Sequence, residues 1–204
     1  MSASVGDCSV AVKEILVTRQ KAAAEHKRIR AFARERRVNE LIRELKNPRR
    51  FRLLVLRATA ASQLGLLRAP SAAQPVARLL RDPVAEVRQA AARTLGRIGV
   101  ADERILAALL ELARHDNADD VRGVAIGSLG ELGDPHAAEH LSPFLSARPA
   151  TVRFPTIYAL LLADDPAANQ LARQQLDRER WYMRPYRRQL AKDLRRARKS
   201  RSPD

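Results

Sequence analysis

The residues best suited to binding chemistry lie near the C-terminus, where cations and aromatic rings alternate. Residues 178–199 hold three of the eight aromatic residues of the chain, set among arginines and lysines. Rings stack on bases and cations neutralise phosphates, so this pattern is typical of sequence-tolerant nucleic-acid binding. We predict that the aromatic and apolar residues of this segment form the apolar seal of the last structural unit. The alternative is a surface for an acidic partner or a nucleic acid, formed by Arg178, Arg180, Trp181, Tyr182, Arg184, Tyr186, Arg187 and Arg188.

Two histidines stand four residues apart, a spacing at which a helix can direct both towards one metal ion. They are His136 and His140, with Glu139 between them. Two imidazoles are too few for a zinc or iron site. The sequence also contains no Gly-x-Ser-x-Gly nucleophile motif. We therefore predict no catalytic, cofactor-binding or metal-binding residues and no cofactor. The sequence does not decide whether the protein is an enzyme, and these absences favour a protein that is not.

A helical repeat must position these residues. Residues 87–99 place apolar and small side chains three and four apart, which predicts an amphipathic helix. Its arginine recurs at steps of 31, 34, 31 and 31 residues, and such a period predicts a repeat array. The recurring residues are Arg57, Arg88, Arg122, Arg153 and Arg184.

Each repeat is predicted to consist of two helices joined by a turn. In the second repeat, a short apolar segment ends at Asp82-Pro83, which signals a turn and suits the start of the next helix. The third repeat is three residues longer than the others, and we place this insertion at its turn, around residues 115–120.

Glycines fall at two recurring positions. Gly65, Gly96 and Gly130 share one position in the second helix, where glycine costs about 1 kcal/mol relative to alanine. We therefore predict that the adjacent repeat approaches closely there. Gly99 and Gly133 follow the last apolar position and are predicted helix C-caps. In the third repeat, the glycines at 123, 127 and 130 lie on one helical face, which indicates close packing of the adjacent repeat. The alternatives are a smooth stripe that admits the backbone of a partner, or a hinge.

The repeat pattern resembles a known family. Residues 82–99 read Asp-Pro-x-x-x-Val-Arg-x-x-Ala-Ala-x-x-Leu-Gly-x-Ile-Gly, which closely resembles the short HEAT repeats also known from phycobilin lyases. The resemblance covers about residues 41–194 and implies an all-α, right-handed α-solenoid of about five HEAT-like helix pairs with an N-terminal helical cap. It also implies that the recurring arginine pairs with an aspartate at the turn between helices, with Asp82, Asp116 and Asp120 as candidates.

The chain is predicted to have three parts. Residues 1–37 form a start that is disordered to about residue 8, followed by a basic helix that caps the first repeat. Residues 38–194 form the repeat array, and residues 195–204 form a basic, disordered tail. The alternative for the N-terminal helix is a basic amphipathic arm that lies on an acidic surface.

Charge is concentrated at the two ends of the chain. The net charge of +15 divides into +8 for residues 1–52, zero for residues 53–150 and +7 for residues 151–204. The excess is thus available to an acidic partner, or it serves solubility. The single cysteine, Cys8, makes no internal disulfide, and no apolar run approaches the length of a membrane span. We expect a cytoplasmic protein.

These observations predict the fold more firmly than the function. We interpret the chain as a non-enzymatic scaffold that presents a solenoid surface to a protein partner. One alternative is sequence-tolerant binding of nucleic acid or another polyanion through the basic ends. A second alternative, suggested by the family resemblance and the architecture, is an enzyme of the lyase or DNA glycosylase type. The sequence does not identify the partner or the oligomeric state.

Overall fold

The computed structural model describes residues 5–46, 54–163, 165–179 and 192, and every regular element in these ranges is a helix. Short 3₁₀ segments at Pro70–Ala72 and Arg78–Arg81 flank α4, and one at Ser142–Ser146 follows α8. The α-helices are α1 (Val5–Arg34), α2 (Val38–Leu45), α3 (Leu54–Leu66), α4 (Ala73–Ala77), α5 (Ala85–Ile98), α6 (Glu103–His115), α7 (Asp119–Leu132), α8 (Ala137–Leu141), α9 (Ala150–Leu162) and α10 (Pro166–Arg178).

The helices form an array of pairs. The pairs are α2 with α3, α4 with α5, α6 with α7 and α8 with α9, and α10 begins a fifth unit. The second helices, α3, α5, α7 and α9, pack on one another in sequence, whereas the first helices make few contacts with each other. The second helices therefore form one continuous layer of the array, and the first helices form the other. This architecture confirms the predicted all-α solenoid.

A continuous core of aliphatic side chains runs through the array. One position of the second helix is filled by leucine in all four described pairs, and each of these leucines is at least 99% buried: Leu64, Leu95, Leu129 and Leu160. Burying such a side chain contributes about 2 kcal/mol. Because neighbouring repeats supply the covering surface, no repeat can bury its leucine alone.

Glycine allows the second helices to approach closely, as predicted. A Cβ atom on Gly65 would lie 3.2 Å from the Thr94 Cα of the next second helix. A Cβ on Gly96 would lie 3.1 Å from the Cβ of Ser128, and one on Gly130 would lie 2.5 Å from the Cα of Ala159. The cost of helical glycine is therefore offset by close packing between repeats.

Buried hydroxyl groups join the same helices. Thr94 Oγ1 donates a hydrogen bond to the carbonyl oxygen of Ala61 at 2.9 Å. Ser128 Oγ donates to the carbonyl oxygen of Ala92 at 2.8 Å, at the equivalent place one repeat later. Each bond satisfies a buried hydroxyl, which would otherwise destabilise the fold.

Gly123 packs against a carbonyl that a proline has freed. Pro155 lies inside α9 and has no N–H to donate to the carbonyl oxygen of Thr151, four residues earlier. A Cβ atom on Gly123 would lie only 2.0 Å from that oxygen. The proline in the fourth repeat, which departs from the repeat pattern, is thus matched by a glycine in the third.

The C-caps also follow the prediction. Gly99 and Gly133 end α5 and α7 in the left-handed conformation, with φ of 77° and 75°. Arg68 occupies the equivalent place after α3 with φ of 47°, where a side chain is strained.

The N-terminal helix caps the array. α1 packs on α2 and α3 through Ile29, which is fully buried. His26 Nδ1 lies 3.2 Å from Thr59 Oγ1 of α3, and Arg28 contacts Glu44 of α2 at 2.6 Å. These contacts confirm the predicted cap.

The limits of the N-terminal helix differ from the expectation. α1 already begins at Val5, inside the segment expected to be disordered to about residue 8, and the disordered start stays a prediction. Residues 1–4 and the predicted tail at 195–204 lie outside the described residues.

The insertion in the third repeat is not where we predicted it. The turns at Asp82, Asp116 and Ala147 each begin six residues before the repeat arginine, so all three have one length. However, Asp116 follows Gly99 by 17 residues, whereas Ala147 follows Gly133 by 14. The extra residues therefore lengthen the first helix of the third repeat and the segment that leads into it. They allow α6 to be a regular α-helix, whereas the first helices of the neighbouring repeats are short and partly 3₁₀.

Candidate protein-binding face

Little of the predicted C-terminal surface lies in the described residues. Arg178 is exposed in the last turn of α10, a helix capped at its start by the carboxylate of Asp165. The other seven residues of that surface lie outside the described residues: Arg180, Trp181, Tyr182, Arg184, Tyr186, Arg187 and Arg188. The surface stays a prediction.

The histidine pair is tied to a turn. His140 Nδ1 lies 2.8 Å from Asp134 Oδ2, and the buried Asp134 carboxylate also accepts the backbone N–H of His136 at 3.0 Å. The two imidazole rings are 5.7 Å apart. Among the described side chains, no three of His, Cys, Asp or Glu come together as a metal site. The aspartate orders the turn that begins α8.

The repeat arginines join neighbouring repeats, and two of them do so as predicted. Arg57 contacts the carboxylate of Asp82 at 3.0 Å, and Arg88 contacts that of Asp116 at 2.6 and 2.9 Å. Both aspartates belong to the turn of the following repeat. Each also accepts the backbone N–H two residues later, which orders its own turn.

The arginine column is interrupted at the third repeat. Ala147 occupies the place of the aspartate, and the residue two positions later is Pro149, which has no N–H for an aspartate to accept. Arg122 instead bonds the Ala113 carbonyl oxygen and Asp119 of its own repeat. Asp120 was a wrong candidate, because Asp119 supplies the carboxylate.

The last described arginine in this column pairs with a glutamate. Arg153 contacts the carboxylate of Glu179, and it also donates to the carbonyl oxygens of Ala147 and Arg148. Arg184 lies outside the described residues. These arginines bind turns to one another, so the column is part of the framework and not a binding stripe.

Arg88 sets the protonation of its partner. Burial alone would raise the pKa of Asp116, but hydrogen bonds from the Arg88 guanidinium and the Ala118 N–H outweigh burial and hold that pKa below its ordinary value. The same contact raises the pKa of Arg88. The pair is therefore charged at neutral pH.

The surface that remains for binding is the solvent-exposed side of the layer of second helices, which we call the inner face. On each second helix it consists of four positions: the residue two before the repeat arginine, and the residues two, five and nine after it. A helix places these four positions in one line. The described members with exposed or half-buried side chains are Thr59, Ser62, Leu66, Glu86, Ala90, Arg93, Arg97, Asp120, Val124, Gly127, Glu131, Thr151, Pro155 and Tyr158.

The inner face changes in chemistry along the array. On α5 three of its four positions are charged, on α7 two of four are, and on α9 none is. One apolar part is made by Val124 and Gly127 of α7 and by Pro155 and Tyr158 of α9, and the described positions of α3 at the other end are also uncharged. A Cβ atom on Gly127 would meet nothing within 4 Å. Gly127 therefore adds no side chain to this part of the inner face, where one could be accommodated.

Comparisons with known proteins agree with this geometry. Residues 40–130 match a family model described as HEAT repeats, and residues 121–147 match one described as PBS lyase HEAT-like repeat. The chain resembles HEAT-repeat proteins. No curated protein matches its sequence.

A solved structure has a similar fold. It is the complex of CpcE and CpcF of phycocyanin lyase from Nostoc sp. PCC7120, matched with a TM-score of 0.59 and 23% identity. The match covers 72% of this chain and 62% of the other, so the chain spans less than two thirds of that neighbour. At this identity the similarity concerns the fold.

The inner face was missed by sequence reasoning. The sequence does contain a signal for this face. Its positions lie at fixed distances from the recurring arginine, on the solvent side of the helix, and their residues differ from repeat to repeat. Gly127 follows the same helical spacing as Gly123 and Gly130, but only those two face the next repeat. In the described residues, no helix is long and apolar enough to cross a membrane.

Proposed function

We propose that this chain is a non-enzymatic HEAT-repeat scaffold that binds a protein partner on the inner face of its third and fourth repeats. The observation that carries the proposal is Gly127, a half-buried glycine in the middle of α7 with open space above it. Glycine destabilises a helix by about 1 kcal/mol, and here no neighbouring repeat requires it. A partner that approaches the helix closely would require a residue without a side chain at this position.

The surroundings of Gly127 have the composition of an interface centre. Val124, Pro155 and Tyr158 bring apolar and aromatic surface, and charged side chains lie at the margins, at Asp120 and Glu131. Protein interfaces are depleted of charge at the centre, are polar at the rim and often depend on tyrosine. The solved neighbour, a complex of two proteins, supports the same class of partner.

The test is co-purification of a partner from the native cells by tagged chains that differ at one residue. Gly127→Arg places a long cation at the centre of this surface, at a position where the added Cβ meets nothing within 4 Å. Glu111→Arg places the same cation on the exposed side of α6, away from the inner face. We expect one stoichiometric protein with the wild type and with Glu111→Arg, and its loss with Gly127→Arg.

Other results would favour the alternatives. Salt-sensitive retention of DNA or RNA, with no stoichiometric protein, would favour nucleic-acid binding through the basic ends. Bilin attachment or release of a base by the purified chain would favour an enzyme of the lyase or glycosylase type.

A further inference from the structure

A groove lies between α1 and α3, at the opposite end of the inner face from α9. Its volume is about 340 Å³. Apolar side chains and two cations line it, together with one amide: Ala33, Leu66, Leu67, Arg30, Arg34 and Gln63.

The groove exists because α1 packs on α3 in the place of a preceding second helix but has no glycine at the contact. In α5 and α7, Thr94 and Ser128 face a glycine of the preceding second helix, and the two helices close. Gln63 holds the same position in α3, where the preceding helix is α1. With the longer Gln63 side chain at this position, and with arginines on α1, the helices stay apart.

The lining combines exposed apolar surface with unneutralised charge. Leu66 is 64% exposed, and among the described side chains no other large hydrophobic residue is exposed. Arg30 and Arg34 are exposed, and neither forms an ion pair or side-chain hydrogen bond with a described residue. By contrast, Arg28 and Arg37 of the same region pair with Glu44 and Glu40.

We propose that this groove binds an acidic amphipathic helix of a partner protein. An apolar side chain of that helix covers Leu66, and carboxylates one turn apart pair with Arg30 and Arg34, which are themselves one turn apart. Arginine is the side chain best suited to such pairing because it can hold a carboxylate with two hydrogen bonds. The proposal extends the proposed function by naming the chemistry of one partner segment.

Two segments that lie outside the described residues, apart from residue 192, lack the acidic charge that this helix needs. Residues 180–204 carry ten basic and two acidic side chains, and residues 47–53 carry three basic and none acidic. Both segments would be repelled by Arg30 and Arg34. A second copy of the chain, with a net charge of +15, meets the same repulsion.

The test uses a fluorescein-labelled peptide of about twenty residues, long enough to form a helix, with leucines along one face and glutamates beside them. Its binding to the full chain is followed by fluorescence anisotropy at physiological ionic strength. We expect Arg30→Glu/Arg34→Glu to weaken binding at least about tenfold, since two charge-assisted pairs become repulsive. The same variant should bind a peptide in which lysine replaces every glutamate, and Leu66→Ser should weaken binding of the acidic peptide.

The matched control is Arg104→Glu/Arg114→Glu, which makes the same change in net charge on exposed positions of α6. It should leave the affinity within about twofold, because screened charges at a distance contribute little. Equal losses in the two double variants, or no binding of the acidic peptide, would overturn the proposal. So would groove-dependent binding of single-stranded DNA in place of the peptide. Gly127→Arg should still bind the peptide. The groove proposal can therefore fail while the inner-face proposal stands, and the inner-face proposal can fail while the groove proposal stands.

Discussion

Helix α7 carries glycine in two different surroundings, one packed against α9 and the other open. Gly123 and Gly130 are buried against α9, where a Cβ atom would lie 2.0 Å from the Thr151 carbonyl oxygen and 2.5 Å from the Cα of Ala159. Gly127, between them in sequence, has no atom within 4 Å of such a Cβ. The first two glycines are required by the fold. The third is not, and this difference separates the framework from the candidate binding face.

The largest expected effect is on the packed face. Gly123→Ala and Gly130→Ala should each lower the free energy of unfolding by about 2–3 kcal/mol, because the added methyl group forces α7 away from α9. Urea denaturation followed by circular dichroism measures this. If both variants were as stable as the wild type, the close approach of the two helices would be wrong.

The arginine column gives an intermediate effect that differs between repeats. Arg88→Ala should destabilise the fold by about 2 kcal/mol, because it leaves the carboxylate of Asp116, whose side chain is 3% exposed, without its partner. Arg122→Ala should cost less than about 1 kcal/mol, since Arg122 contacts the exposed Asp119 of its own repeat. Thermal midpoints of the two variants provide the comparison. Equal losses would show that the missing aspartate at Ala147 does not matter.

The loss of stability at low pH tests the same pair, Arg88 and Asp116. The pKa of Asp116 is lowered in the folded state, so its contribution is fully present above the unfolded pKa of about 3.9 and is lost as pH falls through the lower folded value. In Arg88→Ala, burial is no longer opposed by the guanidinium, and Asp116 should take up its proton at a higher pH. The variant should therefore lose less stability on acidification than the wild type does. A parallel loss in both would contradict the coupling.

The smallest effect on the free energy of unfolding is expected at Gly127, and its sign is opposite to that at Gly123 and Gly130. Gly127→Ala should raise the free energy of unfolding by about 0.8 kcal/mol, through helix propensity alone. The thermal midpoint should rise slightly, whereas the same substitution at position 130 lowers it. A lower midpoint for Gly127→Ala would mean that position 127 is packed and would remove the distinction between the faces.

The sequence was sufficient for the fold because the repeat pattern records contacts that recur. The spacing of the arginines predicted the array, and the glycines at 65, 96 and 130 predicted the close approach of the second helices. The insertion was misplaced because sequence alone does not show whether extra residues lengthen a turn or regularise a helix such as α6. The inner face was missed because its residues have no type in common, from Arg93 to Gly127 to Tyr158, and only the structure shows that they share a surface.

The most direct test of the central claim compares how much partner protein co-purifies with the wild type, with Gly127→Arg and with Glu111→Arg. We predict that Gly127→Arg loses the partner by at least about tenfold. The variant should nevertheless melt no lower than the wild type, since arginine favours the helix over glycine. Glu111→Arg should retain the partner in full. Full retention of the partner by a folded Gly127→Arg chain would contradict the assignment of the inner face as the binding surface.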